Sequence, residues 1–283
     1  MIIFTLEELN ELIIDEVNGF SKIIHLTWKN KEIPERWKRS WESWIKLHPD
    51  FVIMLWSDEE NYKLIEKHYP DFLEKYQSYE YNIQRVDAVR VFYLYKYGGI
   101  YSDLDIAPRK SFETVLKNAK KNILLLSDAG NWEGLRVMMK GTLLGGYINS
   151  KARSSNMLMI SKKGEDFWLK VRDKMLNPGI PWFGSITRHF YIMCTTGPFV
   201  VDSIMKENIN EVEVLESRYF NPCTICDPKP CFGCSNSYVE MLDGSSWGSW
   251  DSQVITFLNC YGNIILAIII FLIVLILIFI FVK

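Results

Sequence analysis

The chain has no excess of either charge, since 32 lysines and arginines meet 34 acids for a net charge of -2. The basic residues are mixed with acids throughout and form no stripe, which removes nucleic acid from the expected partners. No Asn-x-Ser/Thr sequon occurs, and the N-terminal stretch Met1-Ile2-Ile3-Phe4-Thr5-Leu6-Glu7-Glu8 has no basic region before its first acids, so it does not read as a signal peptide. These absences place the expected catalytic part on the cytosolic side. Histidine is scarce, with four residues at 25, 48, 68 and 189. What is abundant is apolar surface: 48% of 283 residues are hydrophobic, enough for one sizeable core or two small ones. The 10 tryptophans and 14 tyrosines suit sugar or base stacking and suit an ordinary core equally well.

From Ile264 to Val282 every residue is apolar. At ~1.5 Å per residue this run spans about 28 Å, close to the ~30 Å hydrocarbon layer of a bilayer. The expected organisation is a domain over residues 1–258 and a transmembrane anchor over 264–282.

Along that domain, Leu6, Leu9, Ile13, Ile14 and Val17 predict a first helix stopped at Asn18-Gly19. Lys22-Ile23-Ile24-His25-Leu26-Thr27-Trp28 reads as a buried strand, Arg36 to Leu47 as a helix, and Phe51 to Trp56 as a second strand. This alternation predicts an α/β fold with a mostly parallel central sheet. Open sheets of this kind place ligands at strand ends, which makes Thr27 and Trp28 candidates to border a bound base; a core strand is the competing reading.

The most informative stretch runs from Arg85 to Asp105. Arg85-Val86-Asp87-Ala88-Val89-Arg90 opens a helix, Gly98-Gly99 turns it into a strand, and Tyr101-Ser102-Asp103-Leu104-Asp105 follows. Positions two apart on a strand share a face, so Asp103 and Asp105 are expected to project together while Leu104 and Ile106 enter the core. Paired carboxylates suit a hard divalent cation that also binds diphosphate oxygens. Asp87 and Arg90, three apart on one helical face, either form a solvated pair or face the same ligand.

Together these motifs resemble the DXD-containing sugar glycosyltransferases of family 32, the group of inositol phosphoceramide mannosyltransferases and initiation-specific α-1,6-mannosyltransferases. The resemblance covers about Lys22 to Asp251. It implies a GT-A nucleotide-sugar fold, Mn2+ or Mg2+, and transfer of a hexose with retention from GDP-mannose or a UDP-hexose to a hydroxyl of a glycan or glycolipid. Carried over by position, Asp105 would ligate the metal and Asp103 would contact donor and metal shell, with Asp87, Arg90, Thr27, Trp28 and Tyr101 around the donor. Thr195-Thr196-Gly197-Pro198 resembles the family's Thr-Gly-Pro at a helix start. Asp243-Gly244-Ser245-Ser246-Trp247 resembles its late Gly-Ser-Trp segment, which implies Ser246 and Trp247 at the diphosphate. The family's histidine before that segment is absent, and Asp243 could replace it as a metal ligand. Asn149 is a candidate on the acceptor side. An inactive nucleotide-sugar-binding protein or membrane scaffold is the alternative.

Cys223, Cys226, Cys231 and Cys234 form two Cys-x2-Cys pairs in a loop at 222–235. In a reducing compartment such a cluster favours structural Zn2+; in an oxidising one, disulfides. Cys194 reads as core, and Cys260, beside the anchor, as buried or lipidated.

Overall fold

The structure is a computed structural model that describes residues 1–127, 154–220, 223, 226, 236–242, 244 and 248–281. In chain order the strands are β1 (Ile2–Ile3), β2 (Glu16–Val17), β3 (Phe20–Ser21), β4 (Ile23–Thr27), β5 (Val52–Trp56), β6 (Gly99–Ser102), β7 (Ile106–Pro108), β8 (Ile123–Ser127), β9 (Ser154–Ser161), β10 (Val212–Leu215) and β11 (Val239–Met241). The helices are α1 (Leu6–Glu11), α2 (Lys38–Leu47), α3 (Asp58–His68), α4 (Pro70–Ser78), α5 (Asn82–Tyr97), α6 (Glu113–Asn118), α7 (Asp166–Leu176), α8 (Arg188–Thr195), α9 (Pro198–Glu207), α10 (Ser217–Phe220) and α11 (Trp250–Phe281).

Seven strands form one sheet in the order β1-β5-β4-β6-β9-β8-β10. All neighbours are parallel except β9, which runs antiparallel to β6 and β8 on its two sides. The α/β class and the mostly parallel sheet are as expected. The central strands are buried on both faces, as their unbroken apolar runs require. One core cluster joins α5, α7 and α9 through Val89, Phe92, Trp168 and Val201; the other joins α2 and α6 through Trp44 and Leu116.

The first helix is shorter than expected, ending at Glu11. Asn18 and Gly19 both take positive φ, 53° and 78°, and turn the antiparallel pair β2-β3. Asn-Gly is the preferred pair for a two-residue hairpin turn, and here that preference overrides the apolar spacing. Pro70 opens α4, where its missing N–H costs nothing, and so divides α3 from α4.

His25, fully buried on β4, links strand to helix. Its Nε2 donates to the Gly98 carbonyl at 2.9 Å, and its Nδ1 accepts from Trp56 Nε1 at 3.1 Å. At the turn itself, Gly99 has φ +88° and lies so close to β4 that a Cβ would stand 2.4 Å from the Ile23 carbonyl oxygen. Only glycine fits there.

Candidate active site

The site is built where α5 and β6 meet β9. Asp87 and Arg90 come from the first turns of α5, are 6% and 3% exposed, and pair at 2.9 Å. Arg90 Nη1 also donates to the Asn156 carbonyl at 2.7 Å and lies 3.3 Å from Asp103 Oδ1, while Nε donates to Val86 O at 3.3 Å. Its guanidinium stacks over the Tyr101 ring at 4.5 Å. Tyr101, fully buried, donates its hydroxyl to Asp103 Oδ1 at 2.6 Å. Asn156 Nδ2 closes the circuit by donating to Asp87 Oδ1 at 3.1 Å.

This geometry changes the expected division of labour. Every nitrogen of Arg90 is already engaged within the protein, and Asp87 is satisfied by Arg90 and Asn156. Arg90 therefore sits behind Asp103, and Asp87 holds Arg90. Burial pushes Asp87 up to about 7, opposed by Arg90 and reinforced by the Asp103 charge. Burial likewise raises Asp103, against Arg90 and the Tyr101 hydroxyl, though 32% of its side chain stays exposed.

Asp103-Leu104-Asp105 does not continue the strand. β6 ends at Ser102, and Ile106 N bonds back to Asp103 O at 3.1 Å, so the two carboxylates leave a tight turn between β6 and β7. The alternation of a strand does not govern them. Leu104 and Ile106 are nevertheless buried as expected. The turn is fixed on both sides: Asp103 N donates to Met157 O at 2.7 Å on β9, and Leu242 N to Asp105 O at 2.8 Å beyond β11. β11 itself pairs antiparallel with β7.

Two oxygen-donor side chains of this kind, both half-buried, suit a hard divalent cation that takes its other ligands from diphosphate and water. Among the described residues no cluster of three or more potential ligands exists. Asp243, Ser246, Trp247 and Asn149 lie outside the described residues, as do Cys231 and Cys234.

Thr27 ends β4 with its hydroxyl turned inward, donating to Trp56 O at 3.2 Å and accepting from Asn61 Nδ2 at 3.4 Å. Trp28 is half-buried and meets Trp37 edge-on at 4.9 Å. A residue that motif reading passed over is Asn156. Its signal is visible in hindsight: Ser154, Asn156 and Leu158 alternate on the inward side of β9, so a polar residue is aimed at the interior. Gln84 is a second, binding Thr195 Oγ1 at 2.8 Å and so joining α5 to the Thr-Thr-Gly-Pro segment that starts α9.

The cysteine loop corrects the four-thiol zinc cluster. Cys226 is disulfide-bonded to Cys260, and Cys223 is also in a disulfide. A sulfur committed to a disulfide is not a thiolate ligand, and Cys260 is likewise closed to lipidation. Cys194 is a buried free thiol.

A family described as the glycosyltransferase sugar-binding region containing a DXD motif matches residues 34–122, the span that holds α5, the glycine turn and both aspartates. That span is less than half of the chain. Outside it the similarity continues: inositol phosphoceramide mannosyltransferase 3 of Schizosaccharomyces pombe is 31% identical over 252 residues, 88% of this chain and 62% of that protein. Mannosyl phosphorylinositol ceramide synthase CSH1 of Saccharomyces cerevisiae is 30% identical over 249 residues, 88% of this chain and 57% of that protein. The chain thus spans about three fifths of the curated relatives it matches. Among solved structures, PaToxG glycosyltransferase aligns over 67% of this chain and 70% of its own with 18% identity and a TM-score of 0.46. Arg90, Asp87, Tyr101 and both aspartates of the turn lie inside the matched span, and Asn156 lies outside it.

Proposed function

We propose that this chain is a membrane-anchored, GT-A-type retaining glycosyltransferase that moves mannose from GDP-mannose to a hydroxyl of an inositol-containing sphingolipid. The observation that carries the reading is the Asp103–Asp105 turn, held from behind by Arg90, Asp87, Asn156 and Tyr101. The named activities of the two yeast relatives supply the sugar and the acceptor class. Asp103 and Asp105 would hold Mn2+ or Mg2+, which when bound neutralises charge on the departing diphosphate. The chain's own contribution is preorganisation: Arg90 and the Tyr101 hydroxyl hold Asp103, and the Leu242 amide holds the Asp105 backbone, so little reorganisation is left for the reaction. Asp87 is buried and engaged by two partners, which disfavours it as a nucleophile and favours same-face attack by the acceptor hydroxyl. Trapping a glycosyl-enzyme ester would overturn that choice.

In this reading residues 1–258 are the catalytic domain and 264–282 the anchor. α11 runs unbroken across the boundary, and it is long and apolar enough to cross a membrane. The disulfides favour an oxidising compartment for the catalytic domain over the cytosolic side expected from the missing sequons.

The test is transfer from GDP-mannose in the presence of Mn2+, with donor hydrolysis as a second readout. Asp105→Ala should lower both by about a hundredfold or more while leaving the thermal melting profile unchanged. An equally active variant would remove the metal-based mechanism, and a parent with neither activity would leave a nucleotide-sugar-binding protein.

A further inference from the structure

α11 is more than a tether. Before the apolar run begins, one face of this helix is sunk into the domain: Asp251, Ser252, Ile255 and Asn259 are at most 9% exposed, and Gly262 is buried. Trp250, Val254, Phe257 and Tyr261 on the other face are 47–75% exposed. That spacing is one helical stripe against the opposite one.

The buried face has two feet. At its start, Asp251 Oδ2 accepts from His189 N at 2.8 Å, and Ser252 Oγ lies 3.0 Å from His189 Nδ1, which seats α11 on α8. α8 in turn holds α5. Thr195 accepts from Gln84, and Arg188 stacks over Tyr81 at 4.7 Å, at the N-terminal end of the helix carrying Asp87 and Arg90. The second foot is the Cys226–Cys260 disulfide. Cys226 precedes β11, the strand that pairs with β7 and whose next residue, Leu242, pins the Asp105 carbonyl. The feet lie at different heights: Cys260 is about 6 Å and Asp251 about 20 Å along the helix axis from Ile264, at ~1.5 Å per residue.

We propose that the first turns of α11 are a bracket that holds the domain, and with it the site, at a fixed height above the bilayer. Cys226 and Cys260 are positioning residues for transfer to acceptors in the same membrane. The proposal rests on the glycosyl-transfer reading above. Its mechanism is geometric: an acceptor confined to the bilayer meets the site at one height, whereas a soluble one approaches freely.

The experiment uses the full chain in lipid vesicles. Cys226→Ala/Cys260→Ala should lower transfer from GDP-mannose to vesicle-embedded inositol phosphoceramide on the order of tenfold, with donor hydrolysis and transfer to soluble inositol 1-phosphate near parent values. Amide exchange should rise around Cys260 in α11. Asp251→Asn, which weakens the other foot and keeps the disulfide, should give the same split with exchange rising in α8. The bracket is overturned if vesicle and soluble rates fall together, if neither rates nor exchange change, or if Cys226 or Cys260 alkylates in the parent without reductant. A parent inactive on both acceptors would overturn the functional reading alone, because the exchange and alkylation arms still judge the bracket.

Discussion

Arg90 shows how a buried charge is made tolerable. A guanidinium at 3% exposure would be costly by itself, but two carboxylates, two backbone carbonyls and a tyrosine face divide its donors and charge. Lysine could not reproduce that fork. Asn156 is the joint between the charge pair and the neighbouring strand. Asn156→Ala leaves Asp87 Oδ1 with Arg90 alone, which should cost about 1–3 kcal/mol of stability and lower kcat on the order of tenfold through loss of position. Steady-state kinetics with a melting curve checks this; an unchanged kcat with a lowered melting temperature would reduce Asn156 to a structural role. At this scale the spacing of Arg-x-Asp-x-x-Arg and Asp-x-Asp singled out residues that the structure brings together. It did not show that Arg90 and Asp87 face inward, because a helical face three apart can point to ligand or to core with the same pattern.

Among the elements, the β4-α2-β5 alternation and the α5-Gly-Gly-β6 turn were legible because each carries local chemistry: apolar runs of strand length, and glycines where φ is positive. Gly99→Ala should cost at least about 2 kcal/mol, since it combines a left-handed φ with collision against β4. Denaturant titration measures the loss, and a cost below that would mean β6 can move away from Ile23. The antiparallel run of β9 was not legible, because strand direction is set by the path of the chain between strands and leaves no mark on the strand itself. The placement of Asp103 and Asp105 on a turn escaped for a related reason, as β7 is a short strand whose partner β11 lies more than 130 residues later. A separation of 34 residues hid the bond from Cys226 to Cys260: Cys-x2-Cys spacing suggests a local cluster, while a docked helix supplies the actual partner.

For the whole molecule, two buried histidines couple stability to pH. His25 and His48 each use both ring nitrogens, one donating and the other accepting from an N–H: Trp56 Nε1 for His25, the Phe112 amide for His48. Protonation would set two donors against each other. Burial lowers both to about 4 from an ordinary 6.5, against the Gly98 bond in one case and the Trp44 bond and Glu113 charge in the other. The unfolded chain therefore binds protons that the folded one refuses, so stability is full above pH 6.5 and falls as pH drops towards 4. Between pH 7 and pH 5 the loss should be about 2 kcal/mol for each histidine. Asp87, which burial holds up to about 7, opposes this over the same range, so the test compares the detergent-solubilised parent with His48→Gln: the parent should lose about 2 kcal/mol more between pH 7 and pH 5, and equal losses would contradict it.

The pin from Leu242 to Asp105 also permits an order of assembly. All seven strands of the main sheet lie between residues 2 and 215, so the tryptophans of the core can be buried before the segment at 239–242 arrives. During refolding, tryptophan fluorescence should then reach its native value ahead of the capacity to bind a nucleotide sugar. A chain caught between those two moments would be folded by every optical criterion and still enzymatically silent.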